Sequence, residues 1–142
     1  MRKNAYRDSP FYVYIEVTLL ELQVVQGEFC ICKVACMESI DFSNEIMFVA
    51  KTPDEISLVC ESQYAPPRAI NIDYGWRAIR VSGILDFSLV GIVSKLSNVL
   101  ADAGISIFVV STYDTDYILI KEGSFENSLA VLQNEGYTIK DI

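Results

Sequence analysis

Residues 48–54, Phe-Val-Ala-Lys-Thr-Pro-Asp, align without a gap on residues 108–114, Phe-Val-Val-Ser-Thr-Tyr-Asp, sixty positions later. A fixed spacing of this kind means that one supersecondary unit is used twice. The register continues, because Ile-Ser-Leu-Val-Cys at 56–60 falls on Asp-Tyr-Ile-Leu-Ile at 116–120. Upstream, Phe-Cys-Ile-Cys-Lys-Val at 29–34 resembles Trp-Arg-Ala-Ile-Arg-Val at 76–81. Each copy therefore reads as a strand followed, after an interval, by a two-stranded hairpin.

The second copy carries the fuller pattern. Strand-like residues 76–82 lead into Gly83-Ile84-Leu85-Asp86, and then Leu89, Ile92, Val93, Leu96, Val99, Leu100 and Ala103 recur at helical spacing. Asp86 or Ser88 is the expected N-cap and Gly104 the left-handed C-terminal stop. Two β-branched runs, 105–111 and 116–121, flank the polar bend Thr112-Tyr113-Asp114-Thr115 and predict a hairpin. Ser124 is expected to cap a second helix with Phe125, Leu129 and Leu132 on one face, ended by Gly136 and followed by a strand at 137–139. The order strand, helix, strand, strand, helix, strand is the ferredoxin-like α+β arrangement. In the first copy only residues 37–44 stand where the long helix belongs, and Pro66-Pro67 forbid a continuous second helix. The first copy is thus a degenerate module. The expected organisation is an N-terminal extension at 1–16, a degenerate module at 17–66 and a complete module at 75–142, with the joint near 66–74.

Charge and residue counts exclude whole classes of function. Nineteen Asp and Glu against eleven Lys and Arg give a net charge of −8, which repels nucleic acid and acidic lipid. There is no histidine, so Ser-His-Asp and Cys-His nucleophilic sites and imidazole metal ligands are absent together. The first eight residues include four charged ones, no apolar stretch of signal-peptide length follows, and the longest apolar runs, 11–15 and 46–50, are five residues each. About 20 are needed to span a bilayer. The reading is a cytoplasmic chain with reduced thiols and no membrane segment.

The chemistry-bearing candidates cluster in the second copy. A loop running from strand to helix presents unpaired N–H groups and the positive end of the helix dipole, which favour a carboxylate. Here the loop holds Asp86, Phe87, Ser88, Leu89, Val90 and Gly91. No basic residue lies between Gly83 and Gly91, so the loop lacks the arginine of a phosphate enzyme. Gly91, unfavourable in a first helical turn, marks either a close approach of a ligand or tight helix packing. Asp86, Asp114 and Asp116 would bring three carboxylates to one edge, suited to an ammonium or guanidinium group. Each alone is equally a cap, a turn residue or an edge charge. Cys30 and Cys32 share one face of a strand, with no second Cys-x-x-Cys pair, so the expectation is buried, inert thiols and no metal or cofactor.

The segments 76–91 and 103–117, with Asp86-Phe87-Ser88-Leu89 and Ser111-Thr112-Tyr113-Asp114-Thr115-Asp116-Tyr117 at their centres, resemble ACT-domain proteins of the aspartokinase-like CASTOR type. Residues 53–60 resemble that family's first-module strand, and the resemblance covers about 17–139. It implies two tandem ACT-like modules and no catalysis by the module itself. It also implies an amino acid held at a module or subunit interface between the loop at 86–91 and Thr112, Tyr113, Asp114, Thr115 and Asp116. The aspartate in the position of Asp116 is the one the resemblance sets against a ligand's cationic end. A homodimer is expected, through residues 11–15 or the strand at 105–111. The alternative function is a ligand-free dimeric interaction module that modulates a partner protein.

Overall fold

The computed structural model describes residues 21–82 and 91–141. Its elements in order are β1 (Glu21–Val34), β2 (Met47–Lys51), β3 (Ile56–Glu61), β4 (Asn71–Ser82), α1 (Ile92–Asp102), β5 (Ile107–Ser111), β6 (Asp116–Lys121), α2 (Glu122–Asn134) and β7 (Thr138–Asp141), with single 3-10 turns at Met37–Ser39 and Ser62–Tyr64. The strands are hydrogen-bonded in the order β2-β3-β1-β4-β6-β5, and β7 pairs with β1. This is an α+β fold.

The described residues divide into two compact units, 26–78 and 21–25 with 79–82 and 91–141. The division passes through β1 and β4. It does not fall at 66–74, where the prolines mark a joint in the sequence, because β4 begins at Asn71 and runs unbroken through Tyr74 and Gly75. Gly75 takes a φ of +82°, a left-handed value that lets the strand continue past it.

In the unit containing 79–142, α1 and α2 cover a sheet face made by Leu22, Val24, Ile79, Val81, Ile118 and Ile120. The apolar stripe predicted for α1 is the one buried, with Ile92, Leu96 and Leu100 inside. Both helices close in the same way. Gly104 (φ +73°) donates to the Ala101 carbonyl while Ile105 donates to that of Leu100; Gly136 (φ +98°) donates to Gln133 while Tyr137 donates to Leu132. These are Schellman closures, in which glycine adopts the left-handed conformation without a Cβ penalty. Leu100, Ile105, Leu132 and Tyr137 then join the core. The start of α2 differs from expectation: it begins at Glu122, directly after β6, and Lys121 flanks it without a side-chain cap, so Ser124 lies inside the first turn. The expected capping residues of α1, Asp86 and Ser88, lie outside the described residues.

The last strand also departs from a simple ferredoxin-like order. β7 pairs in parallel with Glu21–Val24 of β1, and Ser82 Oγ donates to the Glu21 carbonyl at 3.4 Å, so β1 is interposed between β7 and the end of β4. The sequence pattern of 76–139 has no signal for this inserted strand, which comes from residues far upstream.

In the unit 26–78, β1 pairs antiparallel with β3 from Phe29↔Glu61 to Val34↔Ile56, and β3 pairs with β2 from Met47↔Cys60 to Lys51↔Ile56. Its core comprises Cys30, Cys32, Val34, Ile40, Leu58 and Cys60. Where the complete pattern would place a helix, the chain forms only the 3-10 turn at Met37–Ser39.

Candidate functional site

The β5–β6 hairpin carries the predicted acidic residues. Its register runs from Ile107↔Ile120 to Ser111↔Asp116. Thr112 closes the bend: its N–H donates to the Thr115 carbonyl at 2.8 Å, its hydroxyl donates to the same carbonyl at 3.0 Å, and its Oγ1 accepts from the Thr115 N–H at 3.2 Å. A threonine that satisfies both groups of a four-residue bend holds the turn without glycine. Tyr113 at the tip is fully exposed, and Asp114 beside it is exposed.

Asp116 is different in kind. It is 7% exposed, the one buried aspartate among the described residues, and its Oδ1 accepts a 2.5 Å hydrogen bond from Ser111 Oγ, its partner across the ladder. A carboxylate in that setting needs a hydrogen-bond donor or a cation to offset lost hydration. Thr115 Oγ1 donates to the Val81 carbonyl, also at 2.5 Å, which ties the bend to the end of β4, the strand that runs into residues 83–91. The hairpin bend and the departure point of the strand-to-helix loop are therefore at the same end of this sheet.

Of the loop residues, Asp86, Phe87, Ser88, Leu89 and Val90 lie outside the described residues. Gly91 is described and flanks α1 with φ +110° and ψ −16°, a backbone conformation that L side chains rarely adopt. The choice of glycine there is thus set by the entry of the chain into α1, which is sufficient to explain it. Lys95 donates back to the Gly91 carbonyl at 2.9 Å as the first helical bond.

Two further features lie in the unit 26–78. An open groove of about 260 Å³ is lined by Gly27, Glu28, Glu61, Ser62 and Gln63, and Ser62 Oγ is buried without a hydrogen-bond partner among the described residues. Gly27, at φ +106°, bends β1 beside it. Elsewhere in the unit, Cys30, Cys32 and Cys60 bring their sulfur atoms within 4.8 Å of one another. Spacing along the chain placed Cys30 and Cys32 together and missed Cys60, because only the β1–β3 register, Cys30↔Cys60, brings it in. Hydrogen bonding to Cys60 and burial raise the Cys30 thiol well above its ordinary range, and burial followed by the hydrogen bond to Cys30 pushes Cys32 up to about 12. Both are protonated thiols at neutral pH in the metal-free chain.

Comparison with known proteins places this geometry. Residues 71–134, a little under half of the chain, match the ACT-domain family model. The human cytosolic arginine sensor for mTORC1 subunit 1 is 37% identical over 59 residues, which is 41% of this chain and 18% of the sensor. The chain thus matches less than a fifth of that protein's length. A crystal structure from Agrobacterium tumefaciens is 28% identical, with a TM-score of 0.78 over 87% of this chain and 93% of that one. A C-terminal regulatory domain of aspartate kinase from Porphyromonas gingivalis shares the fold, with a TM-score of 0.54 at 14% identity over 84% and 96% of the two chains. ACT domains are regulatory modules that bind amino acids. Among the described residues no helix is long and apolar enough to cross a membrane.

Proposed function

We propose that this chain is a non-catalytic regulatory protein that binds a free amino acid at a module or subunit interface. The observation that carries the reading is Asp116, a buried carboxylate held by Ser111 at the end of the sheet where β4 departs into the 83–91 loop. A zwitterion needs opposite charges at its two ends, and a helix N-terminus favours the anionic one as a carboxylate favours the cationic one. The α-carboxylate goes to the first turn of α1 and the α-amino or side-chain cation to Asp114 or Asp116. The arginine sensors among the relatives make arginine the first ligand to test, its guanidinium matching a carboxylate by paired N–H donors.

The two hairpins, in register at a shift of sixty residues, support the reading of a tandem pair with a degenerate first module. A homodimer belongs to the same reading. β2 and β5 end the strand order, and an open strand edge in a soluble protein is normally covered or charged. The side chains of β5 from Ile107 to Val110 are partly buried and uncharged.

Thermal-shift screening against the twenty amino acids tests the proposal, since a ligand that binds only the folded chain raises its stability by RT ln(1 + [L]/Kd). An arginine-dependent rise that disappears in Asp116→Asn is expected, with binding weakened by about 1.5–3 kcal/mol, the worth of a hydrogen bond to a charged group. Unchanged calorimetric affinity in Asp116→Asn would remove this residue from the site. The absence of any shift, together with a dimer in sedimentation, would favour the ligand-free interaction module.

A further inference from the structure

The sulfur atoms of Cys30, Cys32 and Cys60 form a compact triangle in the core of the unit 26–78. Cys30 Sγ is 3.5 Å from Cys32 Sγ and 3.6 Å from Cys60 Sγ, and the three side chains are 0%, 3% and 0% exposed. The sheet builds the cluster from three strands. Cys30 and Cys32 share a face of β1 through the two-residue period of a strand, Cys60 stands directly opposite Cys30 on β3, and Met47 stands directly opposite Cys60 on β2. The thioethers of Met47 and Met37 belong to side chains packed against the same cluster, whose remaining walls include Val34, Ile40 and Leu58. Every polarisable donor here is sulfur, and the chain has no histidine.

We infer that Cys30, Cys32 and Cys60 form an all-sulfur binding site for a soft, thiophilic ion of the Cu(I) class. Metal–sulfur bonds of about 2.3 Å set ligand sulfurs about 3.8–4.0 Å apart, so the two separations from Cys30 need widening by only a few tenths of an ångström, and Cys32 and Cys60 lie within 4.8 Å of each other. Cu(I) displaces one thiol proton to solvent, its single positive charge balances the thiolate so formed, and the other two sulfurs coordinate as neutral donors. Zinc is the poorer fit. A structural zinc site closes a tetrahedron with a fourth thiolate or imidazole, whereas the remaining thiol, Cys36, is exposed and outside the cluster. Thiolate and thioether donors suit soft ions, and three sulfurs without a fourth ligand favour Cu(I) among them. This site is independent of the amino-acid site proposed above.

The test is a titration of the full reduced chain with Cu(I), without oxygen, in competition with a coloured Cu(I) chelator. One equivalent retained per chain, with a thiolate-to-copper absorption band in the ultraviolet, is expected. Cys36→Ser should retain it. Cys60→Val, which removes the sulfur while filling the space, and Cys32→Ala should each weaken retention at least tenfold. Circular dichroism establishes that each variant is folded. Thermal shift supplies a second readout, with Cu(I) raising the Tm of the unmodified chain and Cys36→Ser, and not that of either folded cluster variant. Failure of the unmodified chain to hold Cu(I), equal retention by Cys60→Val, loss in Cys36→Ser, or tighter retention of Zn(II) than of Cu(I) would each overturn the inference. Core cysteines that serve only to fill space give the first of these results.

Discussion

The two hairpins share a backbone and differ in chemistry. β2–β3 pairs Met47↔Cys60 through Lys51↔Ile56, and β5–β6 pairs Ile107↔Ile120 through Ser111↔Asp116, each position displaced by sixty. Their bends are closed by the same bonds: Thr52 N–H donates to the Glu55 carbonyl at 2.9 Å, and Thr112 N–H donates to that of Thr115 at 2.8 Å. On this common frame the pair Lys51 and Ile56 is replaced by Ser111 and Asp116, and the pair Met47 and Cys60 by Ile107 and Ile120. One hairpin has a buried carboxylate beside its bend and hydrocarbon at its base. The other has an aliphatic residue beside its bend and sulfur at its base. Ladder hydrogen bonds involve only main-chain groups, so a hairpin can keep its register while its side chains diverge.

The strongest test of this equivalence is at the bases. Ile120→Ala should lower the unfolding free energy by about 2–4 kcal/mol, as for other buried large-to-small changes. Cys60→Ala, at the matching position, should cost about 1–1.5 kcal/mol, the scale of one buried methylene and its small cavity. Urea midpoints for the two variants check the ratio, and a larger cost for Cys60→Ala would mean that sulfur does more than fill space.

A smaller effect is expected beside the bends. Ser111→Ala removes the hydroxyl donor from a buried carboxylate and should cost about 1–2 kcal/mol. Lys51→Ala, at the same place in the first hairpin and exposed, should stay within about 0.5 kcal/mol. Equal costs, measured by denaturation, would erase the distinction between the two ends.

The last contrast is in pH dependence and concerns the metal-free chain. Burial keeps Cys32 protonated to about 12 against an ordinary value of 9.0. Above pH 9 the unfolded chain therefore loses a proton that the folded chain retains. The stabilisation is complete below pH 9 and declines as the pH rises towards 12. Cys32→Ala should flatten this decline by up to about 1.4 kcal/mol per pH unit, the value for one full proton of difference. An unchanged slope would show that Cys32 ionises as readily folded as unfolded.

Much of the second copy was legible because its signals are local. Leu96 and Leu100 lie on the helical stripe, Gly104 and Gly136 occupy the left-handed closures, and Thr112 and Thr115 bracket the bend. The start of α2 was less legible. Ser124 has the chemistry of a cap, but the chain passes from β6 into the helix at Glu122 without a loop, leaving no extended residue at 124 for that role. The acidic candidates were legible as residue types and not as a ranking. Asp114 and Asp116 are two positions apart, yet one lies at an exposed tip and the other is buried against Ser111.

From residues alone came the repeat, the hairpins, the α+β class and the exclusion of histidine chemistry, because each depends on neighbours along the chain or on counting. The tertiary structure decided three things that pair distant residues. It set β1 between β7 and β4, brought Cys60 onto Cys30, and buried Asp116 while Thr115 engages Val81. Strand order and sheet register are set by which apolar faces can be buried together and by where backbone groups find partners. A helical stripe or a turn residue is selected within a few positions, but the partner of a strand is selected by the whole sheet.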